Sequence, residues 1–296
     1  MMETGHRVED LSHFSGPITD LFDRMPGPGD NSFKLTTKQI EHFHQFGYVS
    51  GMRGLTEDQA DRLVEELAQI MDPTHPGNSL FHEFHTNESA DPNRVLFHAL
   101  GAWRITPAFH DLVWNPAIAV PASQLLDGPV HFWHDQLFCK PAKHGGVVAW
   151  HQDYSYWTRT KPMGHLTCWM ALEDATLDNG CLQYIPGSHQ WDLLPITGLA
   201  GNMESIREVL SPEQMRAMEN PVAIEVKKGQ ISFHHPLLIH GSFANSTDRS
   251  RRATVLNFFR EGTRSDANEP LLQGVPVVPK GTELGGRFFP KLYPLR

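Results

Sequence analysis

The sequence predicts a mainly β protein with N-terminal helices, its core an all-β barrel or double-sheet jelly roll. Two observations carry this. From residue 130 the chain runs in short apolar or alternating stretches, among them VHFWHDQLFCK, HLTCWMALED, VAIEVKKGQISFHH and RRATVLNFFRE, separated by the turn signals AKHGG, DNG, PGS and KKG. That spacing favours antiparallel sheets over βαβ units. Before residue 130, apolar residues recur instead at helical spacing.

Taken in order, residues 1–35 are polar and broken by Pro and Gly (RMPGPGDNS), an irregular lead-in. Residues 36–128 form a helical wrapping. In LTTKQIEHFHQFGYV, Thr36 or Thr37 can cap a helix that carries Ile40, Phe43 and Phe46 on one face and ends at Gly47, before a short strand YVSGM. The helix over 56–71 has Thr56 as cap, acids in its first turn and Leu63, Leu67 and Met71 at every fourth place. Residues 73–100, rich in Pro, His, Asn and Asp, read as loop, and 105–127 as two short helices. The β core spans 129–261. It is interrupted at 202–219 by a helix–turn–helix insert whose second part opens at Ser211-Pro212. The tail, 262–296, shows no clear period. The whole is expected to form a single domain, with residue 130 marking a change of topology only.

Composition narrows the function. The 296 residues are 40% hydrophobic, enough for a large core. A net charge of −9 and a pI near 6.0 argue against nucleic acid or an anionic membrane as partner. Three cysteines with no CxxC read as buried reduced thiols of a cytoplasmic protein. The start, MMETGHRVEDLSHFSG, lacks the apolar stretch of a secretory leader, and no run of apolar residues is long enough to span a bilayer.

The chemistry concentrates around WHQDYSYW, residues 150–157. A buried carboxylate is costly unless it is paired or bound to metal. In a strand, residues two apart share a face, so His151 and Asp153 project together and Gln152 turns away. Two ligands hold a divalent ion loosely, and the best third is His240, which ends the apolar run LLIHGSFAN. Two histidines and one carboxylate on one side of an ion leave the other positions open, the facial triad of non-haem Fe(II) oxygenases. Rival histidines fit less well. His131 and His134 are three apart, the adjacent pairs His134-Asp135 and His234-His235 face opposite ways on a strand, and His144 and His189 sit in turns. These are expected at the surface or behind the ligands. Arg251, eleven residues after His240, opens the next strand. Its planar fork suits the far carboxylate of a dicarboxylate co-substrate. The other reading of Arg249, Arg251 and Arg252 is a solvated cluster.

With these residues in view, the chain resembles the phytanoyl-CoA dioxygenase family of Fe(II)/2-oxoglutarate oxygenases. The matching motifs are WHQD (150–153), LTCWMALED (166–174), DNGCLQYIPGSH (178–189) and HGSFANSTDRSRRA (240–253), in family order. The resemblance implies a double-stranded β-helix, the cupin-like form of the jelly roll. It implies iron on His151, Asp153 and His240, with 2-oxoglutarate and O2 as co-substrates. The 2-oxoglutarate carboxylate would meet Arg251 and Ser242, near Trp169, Gln136 and Lys140. Related halogenases replace the metal carboxylate with a small residue, so Asp153 speaks against halogenation.

The expected activity is therefore oxidation of a small amphipathic substrate, hydroxylation being the default. Tyr154, Tyr156 and Trp157 are candidates for its pocket. Selectivity is expected from 73–100, 154–162, 190–219 and the tail, through Phe81, Phe84, Trp157, Trp191 and Leu193 beside Arg159, Lys161 and Arg207. Two other readings compete: a cupin-like isomerase or hydrolase that does not use 2-oxoglutarate, and a silent binding homologue. Arg251 is the residue neither would need.

Overall fold

Side-chain caps open the helical layer. The computed structural model describes residues 8–27 and 29–294; the first seven residues of the lead-in, Pro28 and the last two of the tail lie outside the described residues. Helix α1 (Thr37–Phe46) is capped by Thr36, and α2 (Glu57–Ile70) by Thr56. In each, a glutamine three residues on returns the hydrogen bond in a capping box. Helices α3 (Pro107–Leu112) and α4 (Pro116–Leu125) both begin with proline, where a missing N–H costs nothing. The buried Glu66 carboxylate of α2 accepts the Ala108 N–H at the start of α3, tying the two helices together. Among the described residues no helix is long and apolar enough to cross a membrane.

The strands, in chain order, are β1 (Tyr48–Arg53), β2 (Glu83–His85), β3 (Phe97–Leu100), β4 (Val130–Lys140), β5 (Val148–His151), β6 (Thr160–Lys161), β7 (His165–Ala171), β8 (Leu182–Tyr184), β9 (Val222–Ile224), β10 (Gln230–His234), β11 (His240–Ser242), β12 (Arg251–Arg260), β13 (Arg264–Ser265) and β14 (Lys291–Tyr293). The larger sheet runs β1-β10-β7-β12-β4-β3-β2, with β14 added against β4. The smaller runs β5-β11-β8-β9, and β6 pairs with β13. Side chains of both sheets line one cavity between them. This is the double-stranded β-helix, mainly β with helices on its outside.

One face of the larger sheet presents Phe132, Leu137, Cys168, Met170, Phe233 and Leu256 to the helices, in the main core. The opposite face meets the smaller sheet through Trp169, Ala171, Ala253 and Val255 against Leu182, Tyr184 and Ile224. Alternation along β4, β7 and β12 divides these two duties. A bulge on β4 breaks the alternation once. Asn257 pairs with His134 and Phe258 with Phe132, so Trp133 is the extra residue and both Trp133 and His134 reach the cavity.

Two expectations need correction. Residues 73–100 are not all loop, since β2 and β3 extend the larger sheet at its edge. The first part of the insert is a 3-10 turn, Met203–Val209, before the short helix α5 (Pro212–Ala217) that Ser211 caps. The tail, though irregular, is packed: Leu271, Val275, Leu284 and Phe289 are buried with Trp133 and Trp157. Asp10 of the lead-in ion-pairs with both Arg104 of the helical layer and Arg287 of the tail, which ties these two segments to the body.

Gly47 closes α1 with φ of 86°, and a Cβ there would stand 2.6 Å from His189 Nδ1, so the turn that launches β1 beside β10 needs glycine. Leu63, a fully buried residue of α2 in the main core, gives a test of this packing. Leu63→Ala is expected to cost about 2–5 kcal/mol, read as a lower urea midpoint; a loss below about 0.5 kcal/mol would contradict the place of α2 in the main core.

Candidate metal centre

His151 is the last residue of β5. Asp153 is not on the strand, as the sequence had implied, but is the first residue of a 3-10 turn, Asp153–Tyr156. The shared face survives because Gln152 between them stays extended, with φ −111° and ψ 131°. Gln152 points the other way, donating to Leu237 O and accepting from Leu194 N, and so holds the segment that leads into the insert. On the neighbouring strand β11, His240 lies opposite His151 in the antiparallel register.

The three side chains converge. Asp153 Oδ1 is 3.4 Å from His151 Nε2 and 3.5 Å from His240 Nε2, and the imidazole centroids are 4.1 Å apart. All three donor atoms lie within 4.8 Å of one another, the one such group among the described residues. Each imidazole donates its Nδ1–H to the carbonyl two residues back, His151 to Ala149 O at 2.8 Å and His240 to Leu238 O at 2.9 Å. That fixes the tautomer and leaves both Nε2 lone pairs aimed at the carboxylate.

The other carboxylate oxygen is already used. Oδ2 accepts from Thr167 Oγ1 at 2.6 Å and from His234 Nε2 at 3.0 Å. His234 Nδ1 in turn accepts from the Tyr184 hydroxyl at 3.0 Å, whose oxygen is 2.9 Å from Ser232 Oγ. All of these side chains are buried. Burial works against the Asp153 charge, but His240, His151 and His234 around it outweigh burial and hold the carboxyl well below the usual carboxylate range. Burial, and then His151 nearby, keep His240 far below an ordinary histidine, hence neutral. Two imidazole nitrogens and one carboxylate oxygen thus face each other. Such a donor set fits a divalent transition metal with positions left over.

Behind the triad the cavity, of about 220 Å³, reaches Arg251. Arg251 is 1% exposed, and its Nε and Nη1 have no hydrogen-bond partner. Its guanidinium lies 5.7 Å from the Trp169 ring, and Nη2 is 3.5 Å from Ser242 Oγ. Burial lowers its pKa to about 10, so it remains charged at neutral pH. Arg252, its neighbour, faces outward to Glu173 at 3.4 Å, as strand alternation requires, and Arg249 is exposed. Ser242, Trp169 and Gln136 line the same cavity.

Two sequence candidates stand elsewhere. Lys140 is fully buried but does not line the cavity: its ammonium donates to Ser242 O, Ser242 Oγ and Phe243 O, so all three of its protons are spent. Burial, then the adjacent Arg251, push its pKa well below that of an ordinary lysine. Tyr154 also lies away from the cavity, buried with the tail, its hydroxyl donating to Thr160 O at 2.6 Å. Tyr156 and Trp157 do line it.

Each of the four segments expected to shape selectivity reaches the cavity, mostly through different side chains. Trp157 and Arg159 are there; Glu83, Glu88, His98, Leu199 and Leu272 were not singled out from sequence. Phe81 and Phe84 pack in the main core, Trp191 packs against the insert, Leu193 is exposed, and Lys161 and Arg207 pair with Asp266 and Glu204. Thr167 and His234 were missed as partners of Asp153. Their signal lay in alternation: Thr167 shares a face with Trp169, and His234 with Ser232, so each is a polar residue on the inner face of a core strand.

A model of the family described as phytanoyl-CoA dioxygenase (PhyH) matches residues 43–253. A phytanoyl-CoA dioxygenase of Arabidopsis thaliana is 29% identical over 254 residues, covering 75% of this chain and 88% of that protein. L-proline trans-4-hydroxylase of Streptomyces griseoviridis is 28% identical over 223 residues, covering 64% of this chain and 81% of its own length. Among solved structures, the epimerase SnoN in complex with Fe3+, alpha-ketoglutarate and nogalamycin RO superposes with a TM-score of 0.72 at 22% identity, over 86% of this chain and 97% of that one. That last likeness is one of fold.

Proposed function

The chain belongs to the phytanoyl-CoA dioxygenase family, and from that premise we propose that it is an Fe(II)/2-oxoglutarate-dependent dioxygenase that hydroxylates an unactivated C–H of a small amphipathic metabolite. His151 Nε2, Asp153 Oδ1 and His240 Nε2 would hold the iron. Bound there, iron supplies the redox chemistry: O2 and 2-oxoglutarate are consumed, succinate and CO2 leave, and one oxygen atom enters the substrate.

The observation that carries the proposal is Arg251. A buried guanidinium with two unpartnered nitrogens, facing a cavity that also holds the triad, is costly unless an anion completes it. A carboxylate fits the fork in bidentate fashion. Ser242 Oγ, which accepts from Lys140, keeps its own proton to donate to the same carboxylate. Lys140 therefore serves the co-substrate through Ser242 rather than by contact. Trp169 closes the side of the guanidinium. At the metal end the Tyr156 ring stands edge-on to His151, centroids 6.1 Å apart, and Trp157 lines the same cavity.

The cavity wall also mixes Leu100, Phe138, Leu199, Leu271 and Leu272 with Glu83, Glu88 and His98. Apolar walls with a few polar groups suit an amphipathic molecule.

The test begins with anaerobic protein and Fe(II). Adding 2-oxoglutarate is expected to produce a weak visible charge-transfer band, the sign of chelation. No band, in protein shown to bind the metal, favours a metalloenzyme that does not use 2-oxoglutarate. Metabolite extracts are then screened for succinate release and the active fraction searched by mass. A gain of one oxygen supports hydroxylation; an unchanged mass points to epimerisation, and a loss of two hydrogens to desaturation or ring closure.

A further inference from the structure

We propose that Thr167 and His234 act together as a latch on Asp153, withholding Oδ2 so that the carboxylate offers the metal one oxygen only. This rests on the metal-centre reading above and adds to it a determinant of how many positions stay open.

An aspartate can bind a divalent ion through one oxygen or two. At a three-residue site the difference is decisive, because a second oxygen would occupy a position that a chelating co-substrate or O2 needs. Here the choice is made before any metal arrives. Oδ2 accepts two hydrogen bonds, from Thr167 Oγ1 at 2.6 Å and His234 Nε2 at 3.0 Å, while Oδ1 alone faces His151 and His240. The two donors come from adjacent strands and sit directly opposite each other in the register of β7 and β10. The latch is therefore built on ladder hydrogen bonds rather than on a loop.

His234 is itself held in the donating tautomer. The Tyr184 hydroxyl, at 3.0 Å, donates to Nδ1, which leaves the proton on Nε2, and Ser232 Oγ at 2.9 Å satisfies the Tyr184 oxygen. The His234 ring also lies against His240, centroids 4.3 Å apart, so it cannot swing away without disturbing a ligand. Thr167 and His234 are positioning residues, acting on the metal through Asp153.

The test uses the whole protein and Mn(II) as probe. Affinity is read from the signal of free Mn(II), and the openness of the bound ion from water-proton relaxation. Thr167→Val keeps the shape of the side chain and removes the hydroxyl; Thr167→Ser restores it. The valine variant is expected to lose about 10–100-fold in Mn(II) affinity and to show lower relaxation per bound ion, because the freed Oδ2 displaces a water. The serine variant is expected to recover both. His234→Leu should act in the same direction, and if that buried change prevents folding the Thr167 pair decides alone. Valine and wild-type protein alike in affinity and relaxation would overturn the latch while leaving the metal centre intact. Wild-type protein that takes up no Mn(II) overturns the metal centre, and this inference with it.

Discussion

Asp153→Ala is expected to abolish succinate formation coupled to substrate oxidation. The carboxylate is the only anionic donor in the triad, and two neutral imidazoles from facing strands are left to hold the ion by themselves. The change also strands the Thr167 hydroxyl and the His234 Nε2–H, which would be buried with no acceptor. The loss should exceed the roughly 100-fold that partners outside the ligand set are worth. The measurement is single-turnover succinate release with Fe(II) and 2-oxoglutarate, beside circular dichroism to show that the variant is folded. Turnover at the wild-type rate in folded protein would remove Asp153 from the metal.

Arg251→Ala should leave iron binding in place and raise the 2-oxoglutarate requirement steeply. Truncating one partner of a buried, hydrogen-bonded charge pair costs about 2–5 kcal/mol, or roughly 30- to several thousand-fold in apparent affinity. Arg251→Lys should recover only part, since an ammonium is a point charge without the planar fork. Arg252→Ala is the control: its guanidinium faces Glu173 outside the cavity and its loss should not change the requirement. An Arg251→Ala protein with an unaltered 2-oxoglutarate requirement would remove Arg251 from the co-substrate site.

How much of this was legible in the sequence depends on where period and backbone agree. The helices α1 and α2 and the strands β4, β7 and β12 follow their apolar periods, and the threonine caps stand where the motifs place them. The edge strands β2 and β3 were read as loop because three or four residues set among Pro, Asn and Asp give no period to detect. Of the adjacent histidines, His234 and His235, alternation says only that one faces in. The pairing of His234 with Thr167 says which, and pairing is a long-range fact. Tyr154 and Tyr156 look equivalent at a spacing of two, yet the chain there turns as a 3-10 helix with three residues per turn, which sends Tyr154 to the tail and Tyr156 to the cavity. Lys140 shares a strand face with Gln136, but no sequence pattern reveals that two backbone carbonyls and a serine absorb its ammonium.

The tail has a consequence of its own. Leu271 and Leu272 stand in the cavity wall, and Arg159 grips the backbone there through the carbonyls of Pro270 and Leu271. The triad histidines and this part of the cavity wall thus lie on separate lengths of chain. None of residues 270–289 pairs in the ladder of β5 and β11, so a change of side chain at Leu271 or Leu272 would reshape this wall without displacing a ladder bond of the strands that carry the histidines.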